Sequence, residues 1–177
     1  KDGEHVKAWF QLGFGFVEVG TLTPKPQIGN PKPRLFRLKE DRAILNRMGF
    51  NNQGLDHFVQ TFRQKDKLGI LGINLGKNKD TPLERAHKDY EKGMRAVYSL
   101  ADYLTINVSS PNTPNLRQLE TGDDLNHLLG HLKSTQKELI AHHQKKVPLV
   151  VKISPDLSED ALERTAELLL VHGIDGV

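Results

Sequence analysis

The sequence contains no cysteine among its 177 residues. Within these residues a disulfide framework, a thiolate metal site, an iron–sulfur cluster and a cysteine nucleophile are therefore excluded, and the composition fits a reducing compartment. Long apolar runs are also missing, since no stretch approaches the ~20 consecutive apolar residues that span a bilayer. With 37% hydrophobic and 27% charged residues, the chain has the composition of an ordinary globular protein.

An excess of charge of one sign is missing as well. Lys and Arg together number 25 and Asp and Glu 22, which gives a net charge of +3. A nucleic-acid-binding face is expected to show clustered basic residues with interleaved aromatics. The densest basic segment, residues 32–39, instead alternates charged with apolar residues, as a half-exposed strand does. The sequence therefore predicts no nucleic-acid partner.

Short apolar runs alternate with longer segments of helical periodicity, which is the pattern of βα units on a parallel sheet. Four runs predict buried strands and a fifth strand begins near the end of the chain: residues 14–20, 68–75, 103–108, 147–153 and 174–177. An antiparallel hairpin of residues 34–38 and 43–47 is predicted to interrupt the alternation after the first strand.

Four apolar stripes predict helices that cover this sheet. Their members are Leu55, Phe58, Val59 and Phe62; Leu83, Ala86, Tyr90, Met94, Val97 and Ala101; Leu125, Leu128, Leu129, Leu132, Leu139 and Ile140; and Leu162, Ala166 and Leu169. Local signals agree with these segments, because Pro82 suits a first helical turn, Ser158 suits an N-cap and Gly173 suits a C-terminal glycine.

Polar residues stand where the predicted strands and the hairpin end. They are Gly20 and Thr21; Asn74, Gly76 and Lys77; Asn107, Ser109 and Ser110; Lys152; and Asn46, Arg47, Met48 and Gly49. Ligands of parallel α/β proteins bind at the carboxyl ends of the strands, and a buried unpaired amide or ammonium is costly. Any one of these residues could be a simple turn residue or reach solvent. Their occurrence at successive strand ends instead indicates a site for a flat, polar, anionic ligand.

The segment 107–115 is the most unusual connection in the chain. It holds two prolines, two serines and three asparagines directly after a strand, which makes a restricted loop dense in hydrogen-bonding groups. A well-made turn is the simpler interpretation. Nine residues exceed what a βα connection needs, however, and such loops often carry catalytic groups.

A pair of histidines on one predicted helix has the spacing of a metal motif. His127 and His131 are four residues apart and could face one ion, but no carboxylate accompanies them in the metalloprotease pattern and they flank a leucine stripe. The sequence predicts a helix edge here, and no metal. Residues 72–78 imitate a phosphate-binding loop but are one residue short and lack Ser or Thr after the lysine.

Seven spaced motifs along the whole chain resemble those of one enzyme family. They are residues 1–3 (KDG), 20–27 (GTLTPKPQ), 33–37 (PRLFR), 46–52 (NRMGFNN), 72–82 (GINLGKNKDTP), 107–114 (NVSSPNTP) and 151–156 (VKISPD). Together they resemble class 2 dihydroorotate dehydrogenase, the flavin-dependent, quinone-reducing enzyme of pyrimidine biosynthesis, and bacterial members in particular.

The resemblance implies a (β/α)8 TIM barrel that carries FMN at the carboxyl ends of its strands. This chain would cover roughly strands 2 to 5 and the start of strand 6, so residues 1–177 would be one part of a single FMN-binding domain. A complete barrel needs about 250 residues. The N-terminal membrane-associating helices and the C-terminal strands of the family are expected to lie outside this sequence.

The resemblance also implies a reaction. Hydride passes from C6 of dihydroorotate to flavin N5 while a base removes a proton from C5, and the electrons then go to a membrane quinone. Ser110 would be the catalytic base, a role that a cysteine fills in related classes. Because serine is a weak base, it would need help from a water path or a closed loop.

Binding roles carry over by the same motifs. The substrate-binding set would be Lys1, Asn46, Arg47, Met48, Gly49, Phe50, Asn107 and Asn112, and the FMN-binding set Lys1, Thr21, Asn74, Asn107 and Lys152. The Lys152 ammonium would stabilise the negative charge that hydride arrival creates on the flavin.

The resemblance places the enzyme at the cytoplasmic face of the bacterial inner membrane, or alternatively at the mitochondrial inner membrane, held through residues outside this sequence. Two alternatives stay open. One is another FMN barrel acting on a pyrimidine, such as a dihydrouridine synthase or a dihydropyrimidine dehydrogenase. The other is that these residues alone form a non-catalytic section.

Overall fold

The structure is a computed structural model that describes residues 1–62 and 67–177. Within these residues six strands and five α-helices follow one another, in the order α1 (Val6–Gln11), β1 (Phe16–Leu22), β2 (Leu35–Leu38), β3 (Ala43–Asn46), α2 (Gly54–Thr61), β4 (Ile70–Leu75), α3 (Ala86–Val97), β5 (Tyr103–Asn107), α4 (Gly122–His143), β6 (Leu149–Lys152) and α5 (Glu159–Val171). Two 3-10 turns, Leu83–Arg85 and Leu116–Glu120, precede α3 and α4. Among these residues no helix has the length and apolarity to cross a membrane.

Four parallel strands form the main sheet in the order β1-β4-β5-β6, which is also their order along the chain. Sequential order is expected of a barrel wall, whereas the strand order of a doubly wound sheet reverses at a switch point. A parallel bridge from Val150 to Gly176 continues the order beyond β6. The predicted parallel sheet and the beginning of a fifth strand at residues 174–177 are therefore confirmed.

The hairpin of β2 and β3 lies outside this sheet. It is antiparallel, with Leu35 opposite Asn46 and Leu38 opposite Ala43, as the sequence predicts. The first strand begins two residues later than predicted. Phe14 and Phe16, which extend the apolar run at its start, are 54% and 63% exposed.

The sheet has one apolar and one polar face. Leu71, Ile73 and Leu75 of β4 are at most 1% exposed, and Leu75 packs against Gly93 of α3. Residues that alternate with these along a strand point to the other face, because side chains in a strand alternate sides. Asn74 belongs to that second face. Burial of the apolar face under the helices leaves the second face for polar chemistry.

Most predicted helix stripes form the core, but the one on α5 was partly wrong. Leu162 is 47% exposed and Ala166 is also exposed, while Thr165 is fully buried. The Thr165 hydroxyl donates to the main-chain oxygens of Ala161 and Glu120 at 2.7 and 2.9 Å. Because its polar group is satisfied, this threonine occupies a core position that a hydropathy pattern cannot assign to it. In α2, Val59 is likewise 43% exposed.

Helix ends follow the predicted signals. The Ser158 hydroxyl accepts from the Ala161 N–H and caps α5, and Gly173 adopts a left-handed φ of 60° after that helix. Pro82 precedes the 3-10 turn that leads into α3. Helix α1 and the second 3-10 turn were not predicted.

Two aspartates make the same pair of hydrogen bonds at the amino ends of the strands. Asp102, just before β5, accepts from the Leu71 N–H of β4 at 2.8 Å and from the Lys67 ammonium at 2.7 Å. Asp175 does the same one unit later, accepting from the Leu149 N–H of β6 at 3.0 Å and from Lys146 at 2.6 Å. Each aspartate therefore ties the strand that follows it to the start of the preceding strand.

Both carboxyls titrate below their ordinary range. Desolvation acts to raise the pKa of Asp102 and of Asp175, but the main-chain N–H and the lysine ammonium that each accepts from outweigh it. The net effect lowers the pKa of each below its usual value of 3.8. A depressed folded-state pKa means that each carboxylate stabilises the fold above pH 3.8 and loses that contribution as the pH falls through the lower value.

We therefore expect Asp175→Asn to lower the free energy of unfolding by about 1–3 kcal/mol at pH 7, because a charge-assisted bond becomes a neutral one. Urea unfolding at a series of pH values measures this deficit. The deficit should shrink below pH 3.8, where the unfolded parent binds a proton that the folded carboxyl, with its lowered pKa, does not yet bind. Exposed Asp41→Asn is the control, with an expected change within about 0.5 kcal/mol. A deficit that stays constant down to pH 3 would contradict the role of charge.

Candidate functional site

Six polar side chains from all four strands of the main sheet and the loop after β5 form one continuous hydrogen-bonded series. We call it the polar chain, and its members in order are Lys152, Ser109, Asn107, Thr21, Asn74 and Glu18. All of them except Glu18 lie at or just beyond the carboxyl ends of their strands. The structure thus brings together four of the five predicted cofactor-binding residues.

The first half of the polar chain joins β6 to β1. Lys152 Nζ donates to Ser109 Oγ at 2.9 Å, and Ser109 Oγ donates to Asn107 Oδ1 at 3.1 Å. Asn107 Nδ2 then donates to Thr21 Oγ1 at 3.1 Å. Asn107 and Thr21 are only 6% and 8% exposed, so this half is largely shielded from water.

The second half ends on a carboxylate. Thr21 Oγ1 donates to Asn74 Oδ1 at 2.7 Å, and Asn74 Nδ2 donates to Glu18 Oε1 at 2.9 Å. The other oxygen of Glu18 accepts from Thr105 Oγ1 at 2.7 Å. Burial and then the negative charge of Glu18 raise the pKa of neighbouring Tyr103 to about 12.

Every link of the polar chain runs in one direction, from the ammonium of Lys152 to the carboxylate of Glu18. An ammonium can only donate and a carboxylate can only accept, so the two ends determine the orientation of the amides between them. The Asn74 and Asn107 amide groups each use one N–H in this series and retain a second. Lys152 likewise retains two donors beyond the one that binds Ser109. The site therefore offers oriented donors to a ligand.

Helix α3 holds the main chain at the centre of the site. The Tyr90 hydroxyl donates to the Asn107 carbonyl at 2.9 Å, and Tyr90 is fully buried. Burial raises the pKa of this phenol, so it stays a donor. At the end of β1, a Cβ on Gly20 would lie 2.4 Å from the Asn74 carbonyl, and the φ of Gly20 is 106°. This close approach of β1 and β4 therefore requires glycine.

The backbone of Lys1 is hydrogen-bonded to β1 beside the polar chain. Its carbonyl accepts from the Gly20 N–H at 2.9 Å, and its ammonium reaches Asn51 Oδ1 at 3.4 Å. Desolvation lowers the pKa of Lys1 below its ordinary value, an effect that Asp2 opposes and Arg34 reinforces. The predicted cofactor residue Lys1 is thus placed beside Thr21.

The residues that end the hairpin have different environments. Phe50 is 7% exposed, and its ring would lie 3.0 Å from a Cβ on Gly76, so it packs against the end of β4. Gly49 accepts through its carbonyl from Gln27 Nε2 at 3.0 Å. Asn46 is exposed, and Arg47 is exposed as well and donates to the Pro33 carbonyl at 2.8 and 3.0 Å. Only part of the predicted substrate set therefore points inward.

Asn30 connects this segment to the loop that carries Ser110. Its N–H donates to the Met48 carbonyl at 3.0 Å, and its side-chain amide donates to the Asn112 carbonyl at 3.3 Å. The Asn112 N–H in turn donates to Ser110 Oγ at 3.3 Å. In this way the structure joins Met48, Asn112 and Ser110, three of the predicted reaction and substrate residues, through one residue that was not predicted.

A buried hydroxyl in the same loop stands apart. Thr113 is 3% exposed, and its Oγ1 has no hydrogen-bond partner among residues 1–62 and 67–177. An unpartnered buried hydroxyl costs free energy, which a ligand group could recover. Thr113 is therefore a further candidate ligand contact on the Ser110 side of the site.

Other residues of the quoted motifs hold loops together. Asn52 donates to the Thr23 hydroxyl and the Phe50 carbonyl at 2.8 and 2.7 Å. Asn78 donates to the Lys25 carbonyl and Gln27 Oε1, each at 2.9 Å. Both asparagines are at most 8% exposed. They stabilise the rim of the site rather than offering groups to a ligand.

The lysine of residues 72–78, the segment that resembles a phosphate-binding loop, has a structural role. Lys77 is 2% exposed, and its ammonium donates to the carbonyls of Asn78 and Thr81 at 3.2 and 2.8 Å. Desolvation lowers its pKa below the ordinary value despite the charge of Asp89. The Lys77 ammonium therefore binds the carbonyls of its own turn rather than a phosphate group.

The sequence placed Ser109 among the polar strand ends but gave it no specific role, and it gave none to Glu18 or Asn30. Ser109 precedes the more conspicuous Ser110, and Asn30 stands in a Gly-Asn-Pro segment typical of a turn. A detectable signal existed for Glu18, which is a carboxylate within an apolar strand run. Such a residue needs a buried partner, and Asn74 and Thr105 are those partners.

The chain is similar to known proteins over its whole length. A family model described as dihydroorotate dehydrogenase matches residues 1–177. A curated protein of Bordetella parapertussis named dihydroorotate dehydrogenase (quinone) is 57% identical over 180 aligned positions, and one of Marinobacter nauticus with the same name is 54% identical over 177. Each alignment covers 100% of this chain and 52% of the relative. The chain thus spans about half the length of the curated relatives it matches.

Solved structures of the same family are similar to this chain as well. A crystal structure of dihydroorotate dehydrogenase from Eimeria tenella in complex with ferulenol superimposes with a TM-score of 0.91 at 42% identity, covering 99% of this chain and 52% of that one. The ligand-free structure of the Eimeria tenella protein gives a TM-score of 0.83 at 43% identity. These neighbours confirm the predicted fold class, so the sheet described above is part of a TIM barrel. Identity is higher to the bacterial relatives, in agreement with the predicted bacterial character.

Removal of the Ser109 hydroxyl tests the polar chain as a structural unit. We expect Ser109→Ala to lower the free energy of unfolding by about 0.5–1.5 kcal/mol, because Lys152 loses an acceptor and Asn107 loses a donor. Urea unfolding measures the change. Ser134→Ala, on the exposed side of α4, is the control and should stay within about 0.5 kcal/mol. Equal stability of Ser109→Ala and the parent would show that the series contributes nothing.

Proposed function

The chain belongs to the dihydroorotate dehydrogenase family, and we propose from this that the protein carrying it oxidises dihydroorotate to orotate in pyrimidine biosynthesis and passes the electrons to a membrane quinone. The observation that carries the proposal is the polar chain. It places an ammonium, two oriented amides and a hydroxyl at the carboxyl ends of consecutive barrel strands, where barrel enzymes bind their ligands. Residues 1–177 would form one part of a single FMN-binding barrel domain.

The residues present fit an FMN cofactor. The second N–H groups of Asn74 and Asn107 and the remaining donors of Lys152 suit the oxygen and nitrogen edge of a flavin ring. Thr21 and Lys1 complete this predicted binding set from β1 and the chain start. Bound FMN would supply the hydride acceptor. Lys152 would contribute a fixed positive charge where negative charge develops, without reorganisation of solvent.

Substrate would lie between this set and the loop after β5. Asn107 is shared by both sets because one of its N–H groups is committed to Thr21 and the other is available. Asn112, Asn46 and the segment Met48 to Phe50 would bind the ring and carboxylate of orotate. The exposed Arg47 remains in the proposed set, and its guanidinium would have to leave the Pro33 carbonyl to reach a ligand.

Ser110 is the proposed catalytic base. Its hydroxyl accepts from the Asn112 N–H at 3.3 Å, which holds it in the loop that also contains the unpartnered Thr113 hydroxyl. A serine hydroxyl removes a carbon-bound proton only if its own proton can leave. Ser110 would therefore take the C5 proton of dihydroorotate and release its own proton along a water path or within the closed loop.

Replacement of Ser110 tests the base. We expect Ser110→Ala in the intact protein to bind orotate nearly as well as the parent but to lose about 10²–10⁴-fold in kcat, which is the usual contribution of general base catalysis. Steady-state orotate formation and orotate titration of the flavin spectrum measure the two quantities. Ser134→Ala should leave both unchanged. Near-normal turnover of Ser110→Ala would refute the assignment.

Replacement of Lys152 tests the cofactor site. We expect Lys152→Ala to lose most of its flavin, because the proposed binding set loses its one positive charge from β6. The ratio of flavin to protein absorbance after desalting measures occupancy. Lys137→Ala, on the exposed side of α4, is the matched control. Stoichiometric yellow flavin in Lys152→Ala would contradict the role of Lys152.

Quinone reduction implies contact with a membrane, and we propose peripheral association at the cytoplasmic face of the bacterial inner membrane. The names of the bacterial relatives, which specify a quinone, support this location. We propose that this contact is made through residues outside this sequence.

A further inference from the structure

Two helices on the outer face of the sheet bring three metal-ligating side chains together. His87 and Glu91 are four residues apart on α3, and His131 lies on α4, which packs against α3. Residues four apart share one face of a helix, so His87 and Glu91 point in the same direction. The ligand atoms of these three side chains all lie within 4.8 Å of one another.

The distances are close to those of a bound ion. A tetrahedral zinc ion with ligands at about 2.0–2.2 Å separates its ligand atoms by about 3.3 Å. The separation of His131 Nδ1 and Glu91 Oε1 is already 3.3 Å. The rings of His87 and His131 stack at 4.1 Å between centroids, with 15° between their planes. The His131 side chain is 43% exposed, and binding of a shared ion would require its ring to turn out of this stack.

The chemistry of the ligands favours zinc. Two imidazoles with one carboxylate form a ligand set that zinc sites use, and three protein ligands leave a fourth position for water. A cavity of 340 Å³ lined by His87, His127 and His131 gives an ion access from solvent.

We propose that His87, Glu91 and His131 bind one Zn²⁺ ion that links α3 to α4. Along α4 itself no carboxylate accompanies His127 and His131, so the sequence predicts no metal there. Glu91 supplies that carboxylate from the neighbouring helix, and His127 stands beside the ion rather than ligating it. The site lies on the helical side of the sheet, away from the polar chain, so the proposal does not depend on the dehydrogenase function.

Zinc titration of the intact, untagged protein tests the site. Isothermal titration calorimetry should give one Zn²⁺ per chain, and His87→Gln/His131→Gln should weaken the affinity by at least about tenfold, because two of three protein ligands are lost. Glu91→Gln keeps both imidazoles and the helix surface, and it should also weaken binding. Circular dichroism verifies that each variant is folded.

A second readout follows the proposed link between helices. Zn²⁺ should raise the Tm of the parent, EDTA should reverse the rise, and His87→Gln/His131→Gln should show no rise. His142→Gln, which removes an exposed histidine near the end of α4, is the matched control and should behave like the parent. The proposal is overturned if the parent binds no Zn²⁺, if the double variant binds as tightly as the parent, or if His142→Gln loses the ion.

Discussion

The site depends on a single electrostatic constraint, which is the opposite charge at the two ends of the polar chain. Lys152 at one end can only donate and Glu18 at the other can only accept, so each hydroxyl and amide between them has one consistent orientation. Hydrogen bonds aligned in this way polarise one another and strengthen the series. Four strands that come from distant parts of the sequence are thereby held at one register. The same constraint leaves one N–H group uncommitted on each of Asn74 and Asn107.

This arrangement is possible because the two faces of the sheet have separate tasks. Leu71, Ile73 and Leu75 are buried against helices and supply hydrophobic stabilisation, whereas Asn74 on the opposite face carries no packing role against the helices. Polar residues that would weaken a core are tolerated on the second face because each has a partner. Tyr90 connects the two layers, since its ring is buried in the core and its hydroxyl holds the main chain of Asn107.

Much of the fold could be predicted because it depends on local periodicity. The four strands, the hairpin, the helix stripes and the caps at Ser158 and Gly173 all follow from patterns within about 20 residues. What could not be predicted depends on contacts between distant residues. Ser109 gains its place from Lys152, buried Thr165 from the carbonyl of Glu120, and the grouping of Glu91 with His131 from the packing of α3 on α4. The family motifs named most members of the polar chain, but neither the direction of the bonds nor the carboxylate that ends it.

The paired aspartates at the opposite edge of the sheet have a consequence for how the barrel wall is built. Asp102 and Asp175 each precede a strand and accept from an N–H near the start of the strand before it, so each βα unit supplies the bond that joins it to its predecessor. Alignment is thus completed at the amino edge by a short-range bond that any βα unit can repeat. The polar chain adds cross-strand bonds of its own at the carboxyl edge, and the residues beyond it can change with the chemistry while the wall that supports them keeps its geometry.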